Sequence, residues 1–450
     1  MSDMLWKSAP GQPPLPAAAF APVAAPIEGA TALKVRIHQR LIELLNLSLL
    51  DKTPRESLRL DIRGAVSALL TEEKRILSLA QTDQLIEDVL DELLGLGPLE
   101  PLLKDETVSD ILINTHETVY VERRGILERT DVQFQDTRHL VRIINKIVAA
   151  VGRRVDESQP MVDARLADGS RVNAIIPPLA VDGPLVSIRK FAKTPIHMNR
   201  LIELGSVTSE MAHILEGIVK SRRNVLISGG TGSGKTTLLN ALSAFIDHHE
   251  RVVTIEDSAE LQLQQPHVGR LETRPANIEG RGEVTQRDLV RNALRMRPDR
   301  IIVGEVRAGE AFDMLQAMNT GHDGSMTTVH ANTPRDALSR IEQMIGMAGL
   351  EISPRSVRQQ IAAAIHVVVQ AERMDDGRRR IVSIVEITGM EEDVISTQEI
   401  FRFNRRGRGA DGGIAGQFET TGVRPRCLDV MAARGLALPQ MIFTSGRQSV

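Results

Sequence analysis

VLISGGTGSGKTTLL, residues 225–239, is the stretch on which the fold turns. An apolar run reads as a buried strand, glycines follow at once, and TTLL opens a helical run. Within it stands Gly229-x-x-x-x-Gly234-Lys235-Thr236, the spacing of a phosphate-binding P-loop in the strand–loop–helix setting that the pattern requires. Glycines let successive backbone N–H groups turn inward around phosphate oxygens, and the following helix adds the positive end of its dipole. The predicted nucleotide contacts are Gly229, Gly230, Thr231, Gly232, Ser233, Gly234, Lys235, Thr236 and Thr237. Lys235 would reach the β- and γ-phosphates of a nucleoside triphosphate such as ATP, and the Thr236 hydroxyl would ligate Mg²⁺.

A P-loop alone does not separate hydrolases from kinases or passive binders, so the acids downstream matter. RVVTIED (251–257) is an apolar strand ending in Glu256 and Asp257, and DRIIVGEVR (299–307) is a second, ending in Glu305. In a parallel sheet both would present carboxylates at the strand ends that line the ligand crevice. Many such second strands end in an Asp–Glu pair, but here the first position is Gly304, so an acid must come from elsewhere, with Glu256 or Asp257 the donor. A helix N-cap or a surface charge is the other reading of Asp257 and Glu260. GHDGSMTTVHAN (321–332) then carries His322 and His330, eight residues apart. That spacing does not share a helix face, and with no cysteine or third histidine nearby it argues against zinc.

Outside these segments the 450 residues are too many for one core. Residues 1–31 are Ala/Pro-rich, lack the basic start of a signal peptide, and are expected to be disordered. The expected sequel is a helical bundle over 32–95, a mixed α/β domain over 96–191, a linker over 192–206, a P-loop domain over 207–400 and a C-terminal extension over 401–450. TPRE sets Thr53 as a helix N-cap with Pro54 at the first helical position, DILINTHETVYVERRGILERT alternates like a hairpin, and NRRGRGADGGIAG reads as a flexible break. Asp376-Gly377 marks a hairpin turn.

Composition narrows the function. The formal net charge of −3 and an aromatic content of 2% argue against a nucleic-acid partner, which needs basic patches and stacking rings. Cys427 is the single cysteine, so no disulfide can form within the chain. No window offers about 20 uninterrupted apolar residues, so a membrane-spanning helix is not expected.

Taken together, the P-loop, VVTIEDSAELQL, RMRPDRIIVGEVRAGEA and GHDGSMTTVHAN, in this order, resemble the type II/type IV secretion and pilus-assembly ATPases, most closely the CpaF/TadA branch that drives Tad (Flp) pili. The resemblance spans about Leu85 to Gly389. It implies an α/β chain whose N-terminal helical bundle and mixed α/β domain join through a linker to a RecA-like domain, in a homo-hexameric ring. Glu256 would position or deprotonate the attacking water, and Glu305 would help hold Mg²⁺ through water. His330 would sense the γ-phosphate while His322 braces the loop. SRVNAIIPP and VSIRKF resemble segments that bring arginines onto the bound nucleotide, which makes Arg171 and Arg189 candidates; ordinary sheet-edge arginines are the alternative. The implied role is an ATP-driven motor at the cytoplasmic face of the inner membrane, working on platform proteins and, through them, on pilin. A type IV secretion motor is the alternative within the family, and a RecA-like nucleic-acid motor lies further off.

Overall fold

The computed structural model describes residues 37, 40, 54–191, 195–276, 280–409, 412–436 and 447–449. The expected disordered tail therefore lies outside the described residues. The chain divides into two compact units, Met1–Phe191 and Ala192–Val450.

In the first unit, α1 (Arg55–Glu72) and α2 (Leu79–Leu94) join Leu58, Ile62 and Val66 to Ile86, Val89 and Leu90 in one small core. The N-cap of α1 is Pro54, with ψ 139° and no side-chain cap bond. The expectation of Pro54 inside the helix is thus corrected: its ψ is extended, so helical geometry starts one residue later, and Thr53 lies outside the described residues. A capping box does stand on α2, where Ser78 and Gln81 exchange bonds.

Beyond a short helix, α3 (Glu100–Lys104), an antiparallel sheet forms from β1 (Val108–Thr115), β2 (Thr118–Arg123), β3 (Ile126–Arg129), β4 (Met161–Arg165), β5 (Arg171–Ile175) and β6 (Leu185–Arg189). Their order is β3-β2-β1-β6-β5-β4. The anticipated hairpin is thus the start of a three-stranded meander. Helix α4 (Thr137–Ala150), capped by Asp136, buries Leu140, Ile143, Ile144, Ile147 and Val148 at helical spacing. These pack with Ile111, Val119, Val121, Val172 and Ile188 from alternate positions of the strands.

The second unit opens with α5 (Met198–Glu203) and α6 (Ser209–Lys220). It then builds a sheet from β7 (Val225–Gly229), β8 (Val252–Glu256), β9 (Val268–Glu272), β10 (Arg300–Val303), β11 (Met326–Val329), β12 (Val367–Arg373), β13 (Arg379–Glu391), β14 (Val394–Arg408), β15 (Ile414–Thr420) and β16 (Arg447–Ser449). The order is β16-β15-β14-β13-β12-β7-β11-β10-β8-β9. The half from β12 to β9 is parallel, and β13 to β16 are antiparallel. Every residue of β7, β8, β10 and β11 is buried. Strands covered on both faces need continuous apolar runs instead of alternation, and this is why these segments read so plainly in the sequence. The intervening helices α7 (Lys235–Ser243), α8 (Gln286–Ala293), α9 (Glu310–Asn319), α10 (Pro334–Met347) and α11 (Pro354–Ala364) supply the covering cores.

Two features depart from expectation. The sheet does not stop at position 400. Within the arginine- and glycine-rich segment anticipated as a flexible break, Asn404–Arg408 instead end β14, which pairs with β15 from Phe401↔Thr420 to Arg408↔Ile414. Phe401 and Phe403 alternate into the core, where Phe403 packs 5.0 Å from Phe418, centroid to centroid, and this anchors a strand whose outer residues are charged. Among the described residues no helix is long and apolar enough to cross a membrane.

At the opposite end of the parallel strands from the P-loop, Arg300 is fully buried. Its Nη2 and Nε donate to Glu250 at 2.9 and 2.5 Å, and its Nη1 donates to the carbonyls of Val219 and Gly324. The pair ties β10 to the end of α6 and to the turn before β11. Glu250→Ala would leave a buried guanidinium without its counter-charge, and a loss of about 3–5 kcal/mol is expected in denaturant unfolding; a loss under about 1 kcal/mol would show that water reaches the pair.

Candidate functional site

Parallel pairing brings the ends of four strands to one edge. Ser228 pairs with Val329, Ile255 with Val303, and Val303 with Thr327. The residues that follow each pair are therefore neighbours: the P-loop after β7, Glu256 at the end of β8, Gly304 and Glu305 after β10, and His330 after β11.

The loop itself has the backbone that its glycines allow. Gly232 and Gly234 lie at φ 68° and 92°, in the left-handed region. At Gly229 a Cβ would stand 2.4 Å from the Ala371 carbonyl oxygen and 2.4 Å from Ser233 Oγ, so only glycine fits. Ser233, buried, donates to the Gly230 carbonyl at 2.9 Å. Lys235 Nζ donates to the carbonyls of Gly229 and Gly230, both at 3.0 Å, so its ammonium is held over the mouth of the loop. Thr231 is exposed, and Thr236 and Thr237 are half-buried at the start of α7.

Glu256 is 4% exposed. Its Oε2 accepts from the backbone N–H of Glu260 at 2.8 Å and of Leu261 at 2.9 Å, while the equally buried Oε1 has no hydrogen-bond partner. Burial pushes this carboxyl above the ordinary glutamate range, and the two backbone donors only partly oppose it. The structure also accounts for Gly304. A Cβ there would lie 2.9 Å from Glu256 Cγ, so the space that a side chain would need belongs to the carboxylate of the neighbouring strand. Asp257 does not share this pocket. Its Oδ2 accepts from Arg307 Nη1 at 2.9 Å, and the same guanidinium grips Glu305 Oε2 at 3.0 Å through Nε and 2.5 Å through Nη2. Arg307 thus bridges two strand-end acids, a role that proximity in sequence could not single out from its arginine neighbours.

The two histidines part company. His330 Nε2 lies 3.1 Å from Thr231 Oγ1, across from the P-loop. Burial, reinforced by the Lys235 ammonium, holds it below the usual histidine range, with Glu305 pulling the other way. It is therefore neutral at neutral pH and free to exchange donor and acceptor roles. His322 precedes β11 at the strand's other end, where its Nδ1 lies 3.3 Å from the Ala317 carbonyl and its own carbonyl accepts from Ser325 Oγ at 2.7 Å. It braces the turn out of α9 and stands apart from the phosphate edge. With a strand between them the two cannot share a metal.

Arg171 and Arg189 belong to the first unit. They are directly opposed on β5 and β6, with Asp110 opposite Arg189 on one side and Arg165 opposite Arg171 on the other. Arg189 Nε donates to Asp110 Oδ1 at 3.2 Å. Three arginines in one cross-strand row repel unless an anion or acid intervenes. Arg165 completes the row and went unnoticed in the sequence, because only register reveals it.

A family model described as type II/IV secretion system protein matches residues 92–407. Over 299 residues the chain is 41% identical to a putative conjugal transfer protein of Mycobacterium tuberculosis, covering 65% of this chain and 84% of that protein. It is 34% identical over 300 residues to the conjugal transfer protein TrbB of Rhizobium radiobacter, 66% of this chain and 88% of that one. Among solved structures, the VirB11 ATPase from the Brucella suis type IV secretion system, in complex with sulphate, is 29% identical, with 64% of this chain and 95% of that chain covered and a TM-score of 0.35.

The contact between Gly304 and Glu256 gives a direct test. Gly304→Ala should displace the Glu256 carboxylate and lower turnover of nucleoside triphosphate at least about tenfold, while binding of the diphosphate, measured by titration calorimetry, stays within about threefold. Undiminished turnover would mean that the carboxylate relaxes without consequence.

Proposed function

The chain belongs to the type II/IV secretion system protein family and is an ATPase of it, and from that premise we propose that it drives a transport machine of the conjugal-transfer or type IV secretion kind. The mechanism proposed is in-line attack of water on the γ-phosphate, carried out with residues of the RecA-like second unit. The names of its sequence relatives, both conjugal transfer proteins, support this transport reading over the Tad (Flp) pilus. Assembly of such a pilus through an inner-membrane platform is the second reading, favoured by the four motif segments and above all GHDGSMTTVHAN.

One observation carries the chemistry: a buried carboxylate, Glu256, with one oxygen fixed by two backbone amides and the other without a partner. A fixed acceptor at the phosphate edge is what a general base for water requires. The P-loop amides and Lys235 bind and orient the polyphosphate, so that the γ-phosphoryl group faces Glu256. Thr236 and Glu305 offer hydroxyl and carboxylate oxygens, the donors that suit Mg²⁺; when bound, the ion supplies positive charge to the phosphate oxygens. To serve there Glu305 has to exchange its bond with Arg307. His330, neutral and in contact with Thr231, reports on the γ-phosphate by donating to it when it is present. Arg171, Arg189 and Arg165 are proposed to bring the positive row of the first unit onto nucleotide held within a homo-hexameric ring at the cytoplasmic face of the inner membrane. The segment 192–206 would act as the hinge, so that hydrolysis becomes movement of one domain against the other.

Two results test this reading. Lys235→Ala should lose ATP binding, whereas Glu256→Gln, nearly the same in shape, should keep it and drop turnover about 10²–10⁴-fold; turnover within tenfold of wild type in Glu256→Gln would remove the base. The pH dependence is fixed in sign. Glu256 works only when ionised, and its pKa is raised, so activity is lost on acidification at a pH above the ordinary glutamate value of 4.5. Turnover should fall about tenfold for each unit below that limb, with circular dichroism confirming that the fold persists. A limb at or below 4.5 would contradict the burial argument.

A further inference from the structure

His330 stands where its strand runs out of neighbours. The paired register of β11 with β7 ends at Val329↔Ser228, because β7 turns into the P-loop after Gly229. Past that pair the sheet no longer dictates where side chains point. Three residues beyond His330, Thr333 caps α10.

The segment between is held from the far side of β7. Gln370 of β12, only 3% exposed, lies opposite Ser228, on the other flank of β7 from β11. Its Nε2 donates to the Ala331 carbonyl at 3.2 Å and to the Asn332 carbonyl at 3.1 Å. One amide thus reaches across β7 and grips the two residues that follow His330. Ser228 Oγ adds a longer bond to the Ala331 carbonyl, at 3.4 Å. Further along β12, Arg373 stands opposite Arg379 of β13, whose Nε donates to the Gly232 carbonyl at 2.8 Å. The β12–β13 hairpin therefore touches both the P-loop and the segment after β11. Those two meet where His330 Nε2 lies 3.1 Å from Thr231 Oγ1.

Packing alone does not select glutamine here. Val367, Val368, Val369 and Ala371, the neighbours of Gln370 on β12, are all buried and apolar. The Gln370 Oε1 is buried with no hydrogen-bond partner among the described residues, a cost that an apolar side chain of similar size would avoid. The amide is kept for what its N–H groups hold. We infer that Gln370 is a positioning residue for His330, a strut that sets the imidazole against Thr231 at the γ-phosphate position and so makes the site prefer a nucleoside triphosphate to the diphosphate. This rests on the proposed role of His330 and extends it to a side chain behind the site. A polar contact of this kind is lost on displacement by about 0.5 Å, so it needs a support that does not move.

The test separates the strut from general support of the fold. Titration calorimetry on the full chain, with Mg²⁺, measures affinity for ADP and for the non-hydrolysable β,γ-imido analogue of ATP. Gln370→Leu should lower the preference for the triphosphate about 5- to 30-fold, with ADP affinity within about twofold of wild type. In a His330→Ala background the same substitution should change the preference by less than about twofold, since a residue that acts only through His330 has nothing left to position. Gln370→Glu keeps the shape but can donate to at most one of the two carbonyls; it should show the same pattern at about 2- to 5-fold, and serves if the leucine variant does not fold. Proton NMR of the nucleotide-free protein gives a readout independent of sensing: His330 titrates below the usual 6.5 in wild type and should move toward that value in Gln370→Leu as the imidazole loses its seclusion. Equal losses for both nucleotides, additive losses in the His330→Ala background, or an unmoved His330 titration would each overturn the strut. A His330→Ala variant that keeps the full triphosphate preference, with the His330 titration still shifted in Gln370→Leu, would instead strike at the γ-phosphate reading of His330 itself.

Discussion

Everything at the phosphate edge depends on the register of buried parallel strands. β7, β8, β10 and β11 are each covered on both faces, so their side chains are fixed by packing and cannot slide by a residue without exposing apolar groups. Parallel strands all end on the same side, and there the burial requirement lapses and polar residues can stand. The chemistry therefore sits where the core stops. A one-residue slip of β8 against β10 would turn Glu256 away and put an apolar side chain in its place.

Burial then sets the charge states. Glu256 is ionisable and nearly inaccessible, a combination that costs free energy and persists only because two backbone amides meet one oxygen. The same seclusion holds His330 neutral. Gly304 belongs to this economy of space, since its missing side chain is the volume that Glu256 fills. The absence of an acid at that position and the presence of one on the next strand are thus one structural fact seen from two places in the sequence. Arg307, by contrast, is exposed, and its bonds to Asp257 and Glu305 can exchange at little cost.

What could be read in the chain followed from locality. The P-loop, the buried strands, the helix SEMAHILEGIVK and the Asp376-Gly377 turn all declare themselves within a few residues, through glycine positions and apolar runs. Local rules also misled. Thr-Pro-x-Glu matches a helix start, yet the extended ψ of Pro54 places the boundary one residue on. The segment after Phe403 has the composition of a loop, but pairing with β15 outweighs composition. Arginines were the least legible. Arg165, Arg373 and Arg379 gain their meaning from the strand opposite, and a cross-strand neighbour can be any number of residues away.

Those arginines also bear on how net charge should be used. A formal charge of −3 argues correctly that the whole chain projects no positive field. It says nothing about a potential felt a few ångströms from a sheet. In the first unit, strand pairing lines up Arg189, Arg171 and Arg165; in the second it sets Arg373 against Arg379. Repulsion within each row grows steeply at such separations and is weakly screened where the side chains are half-buried.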